Sequence, residues 1–258
     1  MLPSSIFEPK KVEEALQDKN WVESTHEKLN QLVRNDVWEL APRPKGVHVI
    51  GTKWIFKNKT DEDGEIIWNK SRLVAQGYTQ VEGVNFDESF APVARLKSIR
   101  ILMSIACTMN FKLYQMDVKC AFLNGYLNKE VFVEQPKGFK DLHFPDHVLR
   151  LKKALYGLKQ APRAWYNQLT QYLLDRVFKR GYADQTLFVK DDEDYLLVPQ
   201  VYVDDIVFGA TIDARAIEFS EGMKKEFEMS MVGELTFFLG LQVKQRKEDI
   251  FITQEKYA

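Results

Sequence analysis

Cysteine is nearly absent: Cys107 and Cys120 are the only two in 258 residues, and they show no C-x-x-C spacing. That argues against a disulfide framework or a zinc site and favours a reduced, intracellular setting, cytoplasmic or nuclear. No apolar run approaches the length of a membrane span, and the first ten residues lack a charged stretch followed by an apolar core, so no membrane partner is expected. There is no excess of either charge, with 36 Lys and Arg against 37 Asp and Glu and a formal net charge of -1. The total therefore gives no preference for nucleic acid, and any such binding has to come from local basic patches. No internal repeat and no low-complexity linker interrupts the chain. What is present is ordinary for a globular protein: 45% hydrophobic and 28% charged residues, enough for one large mixed domain or two packed lobes. The final Gln254-Glu255-Lys256-Tyr257-Ala258 has neither turn residues nor a helix stop and reads as a cut through a continuing element.

Periodicity sets the order of elements. Val12, Leu16, Val22, Leu29, Leu32 and Val33 recur at helical steps, predicting one or two helices with a join near Asn20. Ala41 to Gly46 is a loop. Val49 to Lys57 and Ile66 to Tyr78 flank the charged turn Asp61-Glu62-Asp63-Gly64 as a β-hairpin. Leu96, Ile99, Leu102, Ile105 and Met109 stripe a helix, and Phe111 to Asp117 reads as a strand. Pro162 suits a helix first turn, with Trp165, Tyr166, Leu169, Tyr172, Leu173 and Val177 following on one face. Three short apolar runs, Leu187 to Lys190, Tyr195 to Val203 and Ile206 to Ala210, suggest an antiparallel meander. Asp213 is expected to cap a helix with Ile217, Met223 and Phe227 inward. A last hairpin runs from Phe237 through Lys247-Glu248-Asp249 to Ile252. The sum is an α+β pattern.

Two adjacent carboxylates at the tight turn Tyr202-Val203-Asp204-Asp205, between apolar strands, would repel each other unless a cation neutralises them. Mg²⁺ prefers oxygen ligands and is held by one or two protein carboxylates together with substrate phosphates. Asp117 ends another apolar strand and would reach the same spot if that strand pairs beside the meander. Taken singly, Asp204 and Asp205 fit a solvated turn and Asp117 a cap; together they point to metal-dependent phosphoryl chemistry. Arg150, Lys152, Lys153, Lys159 and Arg163 form the one long basic stretch without an intervening acid. Gly157 allows close backbone approach to a ligand, and the helix starting near Pro162 presents free N–H groups, so nucleotide or nucleic-acid contact is favoured over a solvated flank. Lys70 and Arg72 alternate with apolar residues, so both face one side of a strand, either to clamp triphosphate oxygens or as an exposed face.

Four stretches resemble the reverse transcriptases of copia-type retrotransposons. Tyr202-Val203-Asp204-Asp205 is similar to their catalytic turn, and Gln115-Met116-Asp117-Val118-Lys119-Cys120-Ala121-Phe122-Leu123-Asn124-Gly125 to their first-aspartate motif. Lys153 to Tyr166 resembles their nucleotide- and template-contacting segment, and Lys70 to Tyr78 their fingers motif. The resemblance, which runs from about Trp54 to Gln254, implies a right-hand polymerase with an antiparallel palm sheet backed by helices. It implies a helical lead-in over residues 1–46 and a reverse transcriptase domain over 47–258, with fingers at about 47–92 and 125–155 and palm at about 93–124 and 156–250. Asp117, Asp204 and Asp205 are then the catalytic residues, holding two Mg²⁺ ions, with Mn²⁺ as a substitute. Phe122 would gate against ribonucleotides, unless it is simply core; Lys70, Arg72, Tyr156 and Gly157 would contact the nucleotide. Lys152, Lys153, Lys159, Arg163 and Tyr202 would contact nucleic acid. So would Phe238, Leu239 and Gly240, in a stretch resembling the primer grip that could equally pack inward. The implied partners are an RNA or DNA template with its primer, deoxynucleoside triphosphates, and separate thumb and ribonuclease H segments of a polyprotein. Without the latter two, a weakly processive or inactive enzyme is expected.

Pro199 departs from the family pattern. It cannot donate a ladder hydrogen bond, which predicts either a strand locally at an edge or a strained site. A non-catalytic, nucleic-acid-binding retrotransposon remnant is the rival reading, binding chiefly through phosphates. A palm-type nucleotidyl cyclase stands further off, having no use for the basic segment or the fingers hairpin.

Overall fold

Burial alternates along the strands Thr52–Thr60 and Ile66–Ala75; Tyr195–Tyr202 and Asp205–Ala210 are buried on both faces, and stripes at near 3.6-residue spacing make most of the helices. The computed structural model describes residues 6–61, 63–246 and 249–254. In chain order its elements begin with α1 (Val12–Ala15), α2 (Lys19–Arg34), β1 (Trp38–Ala41), β2 (Thr52–Thr60) and β3 (Ile66–Ala75). Next come α3 (Leu96–Thr108), β4 (Leu113–Val118), β5 (Tyr126–Val133), β6 (Val148–Lys153), α4 (Ala161–Asp175) and β7 (Lys179–Arg180). The last are β8 (Phe188–Asp192), β9 (Tyr195–Tyr202), β10 (Asp205–Ala210), α5 (Asp213–Glu226), β11 (Met229–Glu234), β12 (Phe237–Phe238), β13 (Leu241–Gln245) and β14 (Ile250–Thr253). The content is mixed helix and sheet, compatible with α+β. Among the described residues no helix is long and apolar enough to cross a membrane. The chain divides into two compact units, one of Met1–Phe90 and Phe122–Trp165, the other of Ala91–Ala121 and Tyr166–Ala258.

In the first unit the join between the opening helices falls at Asp18, whose side chain accepts the N–H of Asn20 at 2.9 Å and of Trp21 at 3.4 Å. α2 lies on the β2–β3 ribbon through Trp21, whose ring meets Phe56 edge-on at 5.4 Å. Its Ser24 hydroxyl bonds both Asn69 O and Ser71 N–H. Trp38, placed by sequence within the helical lead-in, instead opens β1, which pairs with β6 in a sheet ordered β1-β6-β5. The close backbone approach expected at Gly157 is made to the protein itself. Its φ is +91°, and a Cβ there would lie 2.2 Å from Ala75 O, beside the bond from Ala75 N–H to Tyr156 O.

The second unit is built on a six-stranded antiparallel sheet ordered β11-β4-β10-β9-β8-β7, with the small sheet β12-β13-β14 alongside. One face of the large sheet presents Leu113, Val207 and Val198 to α3 and the small sheet, where Ile99, Leu102, Phe238, Leu241 and Val243 complete a core. On the other face Phe208, fully buried, meets Tyr114 at 5.8 Å and Phe219 of α5 at 5.0 Å. A buried polar cluster lies within this unit: Asp184 takes bonds from Ser98, Thr186 and Gln200. Burial pushes its carboxyl up, but those bonds together outweigh burial and hold it below the usual carboxylate range.

Several expectations need correction. Asp213 does not cap α5 from outside; it is the first helical residue, behind Ile212. The inner face of that helix is Ala216, Ser220 and Met223, whereas Ile217 is exposed. Val177 lies past the end of α4 at φ 66° and faces solvent. Leu96 and Met109 also sit outside the buried stripe of α3. The turn residues Lys247 and Glu248, Glu62 of the earlier turn, and the closing Glu255 to Ala258 lie outside the described residues. Pro199 meets the first of its two alternatives: β9 as a whole runs between β10 and β8, but at Pro199 it is locally at an edge, with no ladder partner on its β8 side. Val201 N–H, on the same side of the strand, bonds Thr186 O on the β8 side at 2.9 Å. The missing Pro199 donor thus falls on that side, where ladder pairing stops at Leu197 and resumes only as a bridge at Gln200. On the β10 side the ladder is unbroken, with Pro199 opposite Phe208.

Candidate active site

The second unit brings the acidic residues to one end of its sheet. β9 and β10 are joined by the two-residue turn Val203-Asp204, with Tyr202 opposite Asp205. Val203 takes φ 56°, the sign that tight hairpin turns require at their first central position but that a β-branched residue rarely adopts. Val118 N–H donates to Asp204 O at 2.8 Å, tying the turn to the end of β4. Register then sets Asp117 directly opposite Asp205 on one side and Ser230 on the other. Side chains opposite each other share a face, so Ser230, Asp117, Asp205 and Tyr202 form a row across four strands.

Asp205 is half-buried, and its carboxyl is pushed up, first by burial and then by the negative Asp204 and Asp117; a hydrogen bond from Gln115 Nε2 to Oδ1 at 2.8 Å opposes the rise. A cation would relieve this crowding of negative charge. Among the described residues no group of three or more His, Cys, Asp or Glu stands ready to hold a metal ion. What register supplies is the Asp117–Asp205 pair, with Asp204 beside it in the turn. This oxygen-only set suits a hard divalent cation whose remaining ligands are phosphates or water. Tyr202 stands edge-on to Phe238 at 5.8 Å, and Phe238 is buried in the core; Leu239 and Gly240, both at positive φ, make the β12–β13 turn.

The first unit carries the other expected contacts. Lys70 and Arg72 lie on the outward face of β3, opposite Lys57 and Ile55, while Ser71, Leu73 and Ala75 are buried. Lys53, Lys57 and Lys59 of β2 share that outward face with Trp68. Lys70 and Arg72 stand out in the sequence, and the even spacing of Lys53, Lys57 and Lys59 carries the same signal. Glu8 pairs with Lys57 at 3.1 Å; the Asn58 N–H and then Lys57 hold its carboxyl below the usual range. Phe122 and Tyr156, both half-buried, pack ring to ring at 4.7 Å.

The basic stretch that is uninterrupted in sequence is interrupted in space. Arg150 binds Glu39 and Glu130, and Lys152 binds Asp36 at 2.9 Å and Glu39 at 3.7 Å. Lys153 donates to Asn35 O and lies over the Tyr126 ring. Lys159 donates to Gln80 O and lies over Phe86, and Arg163 pairs with Glu88 at 3.1 Å. These partners come from distant segments, which a linear reading cannot see.

A family model described as reverse transcriptase (RNA-dependent DNA polymerase) matches residues 35–258. The retrovirus-related Pol polyprotein from transposon RE2 of Arabidopsis thaliana is 37% identical over 252 residues, covering 97% of this chain and 17% of that protein. The corresponding polyprotein from transposon RE1 of the same plant is 37% identical over 251 residues, again 97% and 17%. That from transposon TNT 1-94 of Nicotiana tabacum is 33% identical over 263 residues, covering 100% of this chain and 20% of that protein. The chain thus spans a fifth or less of the length of these relatives.

Proposed function

The chain belongs to the reverse transcriptase family, in its copia-type branch, and from that premise we propose that it is the fingers and palm of an RNA- and DNA-templated DNA polymerase. In this reading the palm occupies about 93–124 and 156–250, and the fingers about 47–92 and 125–155. The observation that carries it is the pairing of Asp117 with Asp205 beside the Asp204 turn. Asp117, Asp204 and Asp205 would hold Mg²⁺, as two ions, which supply charge neutralisation for the triphosphate and a lowered pKa for the primer 3′-hydroxyl. The protein's own part is to fix those carboxylates on strands that cannot shift independently, since β4 and β10 share a continuous ladder. Arg72 and Lys70 would meet phosphate oxygens from the outward face of the ribbon. Phe122, backed by Tyr156, would present a flat wall against a 2′-hydroxyl. Template, primer and deoxynucleoside triphosphates are the proposed partners.

Single-nucleotide incorporation on a primed template with Mg²⁺ tests the reading. Incorporation by the native chain, reduced at least about a hundredfold in Asp117→Asn and Asp204→Asn, is expected. Primer–template binding without incorporation would instead favour a non-catalytic binding remnant.

A further inference from the structure

Gln115 has no role in the polymerase reading beyond its membership of a motif. It lies two residues before Asp117 on β4, on the same face, and directly opposite Val207, the residue two after Asp205. That makes it the diagonal neighbour of Asp205 across the β4–β10 ladder, within reach of a long amide side chain. Its Nε2 donates to Asp205 Oδ1 at 2.8 Å. On the β11 side its partner is Gly233, at φ 121°, where a Cβ would meet nothing within 4 Å. Gly233 therefore sets no side chain beside the amide, and the bond to Asp205 orients it.

We propose that Gln115 is a positioning residue for Asp205, fixing one carboxylate oxygen so that the other is presented to the divalent cation. The proposal rests on the metal-binding reading of the preceding section. An amide is suited to this: it donates without adding charge, whereas a lysine or arginine there would compete with the cation for the carboxylate. A carboxylate held on one oxygen binds as a single-point ligand in a defined direction. Freed, it would turn about its terminal torsion, whose preferences are broad.

The test measures Mn²⁺ binding to the nucleic-acid-free chain by electron paramagnetic resonance, comparing the native protein with Gln115→Met, which keeps the length and removes the donor. Mn²⁺ affinity is expected to fall on the order of tenfold, the lower end for a group that orients a metal ligand. Metal-free primer–template affinity should stay unchanged, and the metal-free thermal midpoint should fall only by the loss of the one bond to ionised Asp205. In an Asp205→Asn background, which weakens Mn²⁺ by itself, the same Gln115→Met change should have no further effect, because the oxygen it orients has already been altered. Unchanged Mn²⁺ affinity in Gln115→Met would overturn the proposal, as would an equal loss in both backgrounds, the mark of general loosening. If the native chain binds no Mn²⁺, the metal reading falls and takes this inference with it. If it binds Mn²⁺ in a manner dependent on Asp117 and Asp205 but indifferent to Gln115, only the inference falls.

Discussion

At the residue scale, the tension lies in Asp205. Its raised pKa means that the folded state takes up a proton more readily than the unfolded chain. The stability this contributes is fully present below the ordinary carboxylate range and is lost as pH rises through the raised value. Near neutrality and without divalent ions, ionised Asp205 therefore weighs against folding. Asp205→Asn is expected to melt higher than the native chain at pH 7. The difference should shrink towards zero as pH falls below the carboxylate range, and adding Mn²⁺ should narrow it by stabilising the native chain more than the variant. Differential scanning fluorimetry across pH, with and without Mn²⁺, reads all three. Val203 belongs to the same pattern, a residue held where its own preferences would not take it.

At the element scale, the β2–β3 ribbon and the Tyr156 loop meet through Gly77 and Gly157. A Cβ at Gly77 would lie 2.0 Å from Gly157 O, and one at Gly157 2.2 Å from Ala75 O, so neither position has room for a side chain. Gly157→Ala combines that overlap with a left-handed φ and should cost at least about 2 kcal/mol. Gly83→Ala, with φ +80° but open space around it, should cost only about 1 kcal/mol. Urea unfolding distinguishes them by midpoint at constant slope. Helices α3 and α4 and the β2–β3 hairpin were legible in the sequence because each is long and periodic, and the β8–β10 meander because its short apolar runs are bounded by turn residues. β1, β5, β6 and β11 were not, since their strand character depends on partners far along the chain: Trp38 becomes a strand residue only opposite Leu151. The carboxylates were legible as a set because each stands at the end of an apolar run. Gln115 was not, because its role is a diagonal contact fixed by register.

At the scale of the whole molecule, a net charge of -1 conceals an uneven distribution. The stretch of residues 150–163 that looked most basic is matched by Glu39, Asp36, Glu130 and Glu88, while the outward face of the ribbon carries Lys53, Lys57, Lys59, Lys70 and Arg72 with Glu8 as a paired acid. Nucleic-acid affinity is therefore expected to depend on the ribbon more than on Lys152 or Lys153. Replacing Lys53 and Arg72 together by Gln should reduce the slope of log affinity against log salt by about 1.5, at roughly 0.7–0.9 per phosphate contact; the Lys152→Gln, Lys153→Gln pair should change it by less than half as much. Fluorescence anisotropy with a labelled primer–template over a salt series measures both. Pro199 bears on how the sheet comes apart. With no amide there to bond towards β8, the seam between β8 and β9 can part while the hairpin bearing the acidic turn stays fastened to β10 and β4. Protons on the β8 flank should therefore exchange with solvent ahead of those between β9 and β10, and a disturbance entering from the outer strands would be absorbed before it reached the turn.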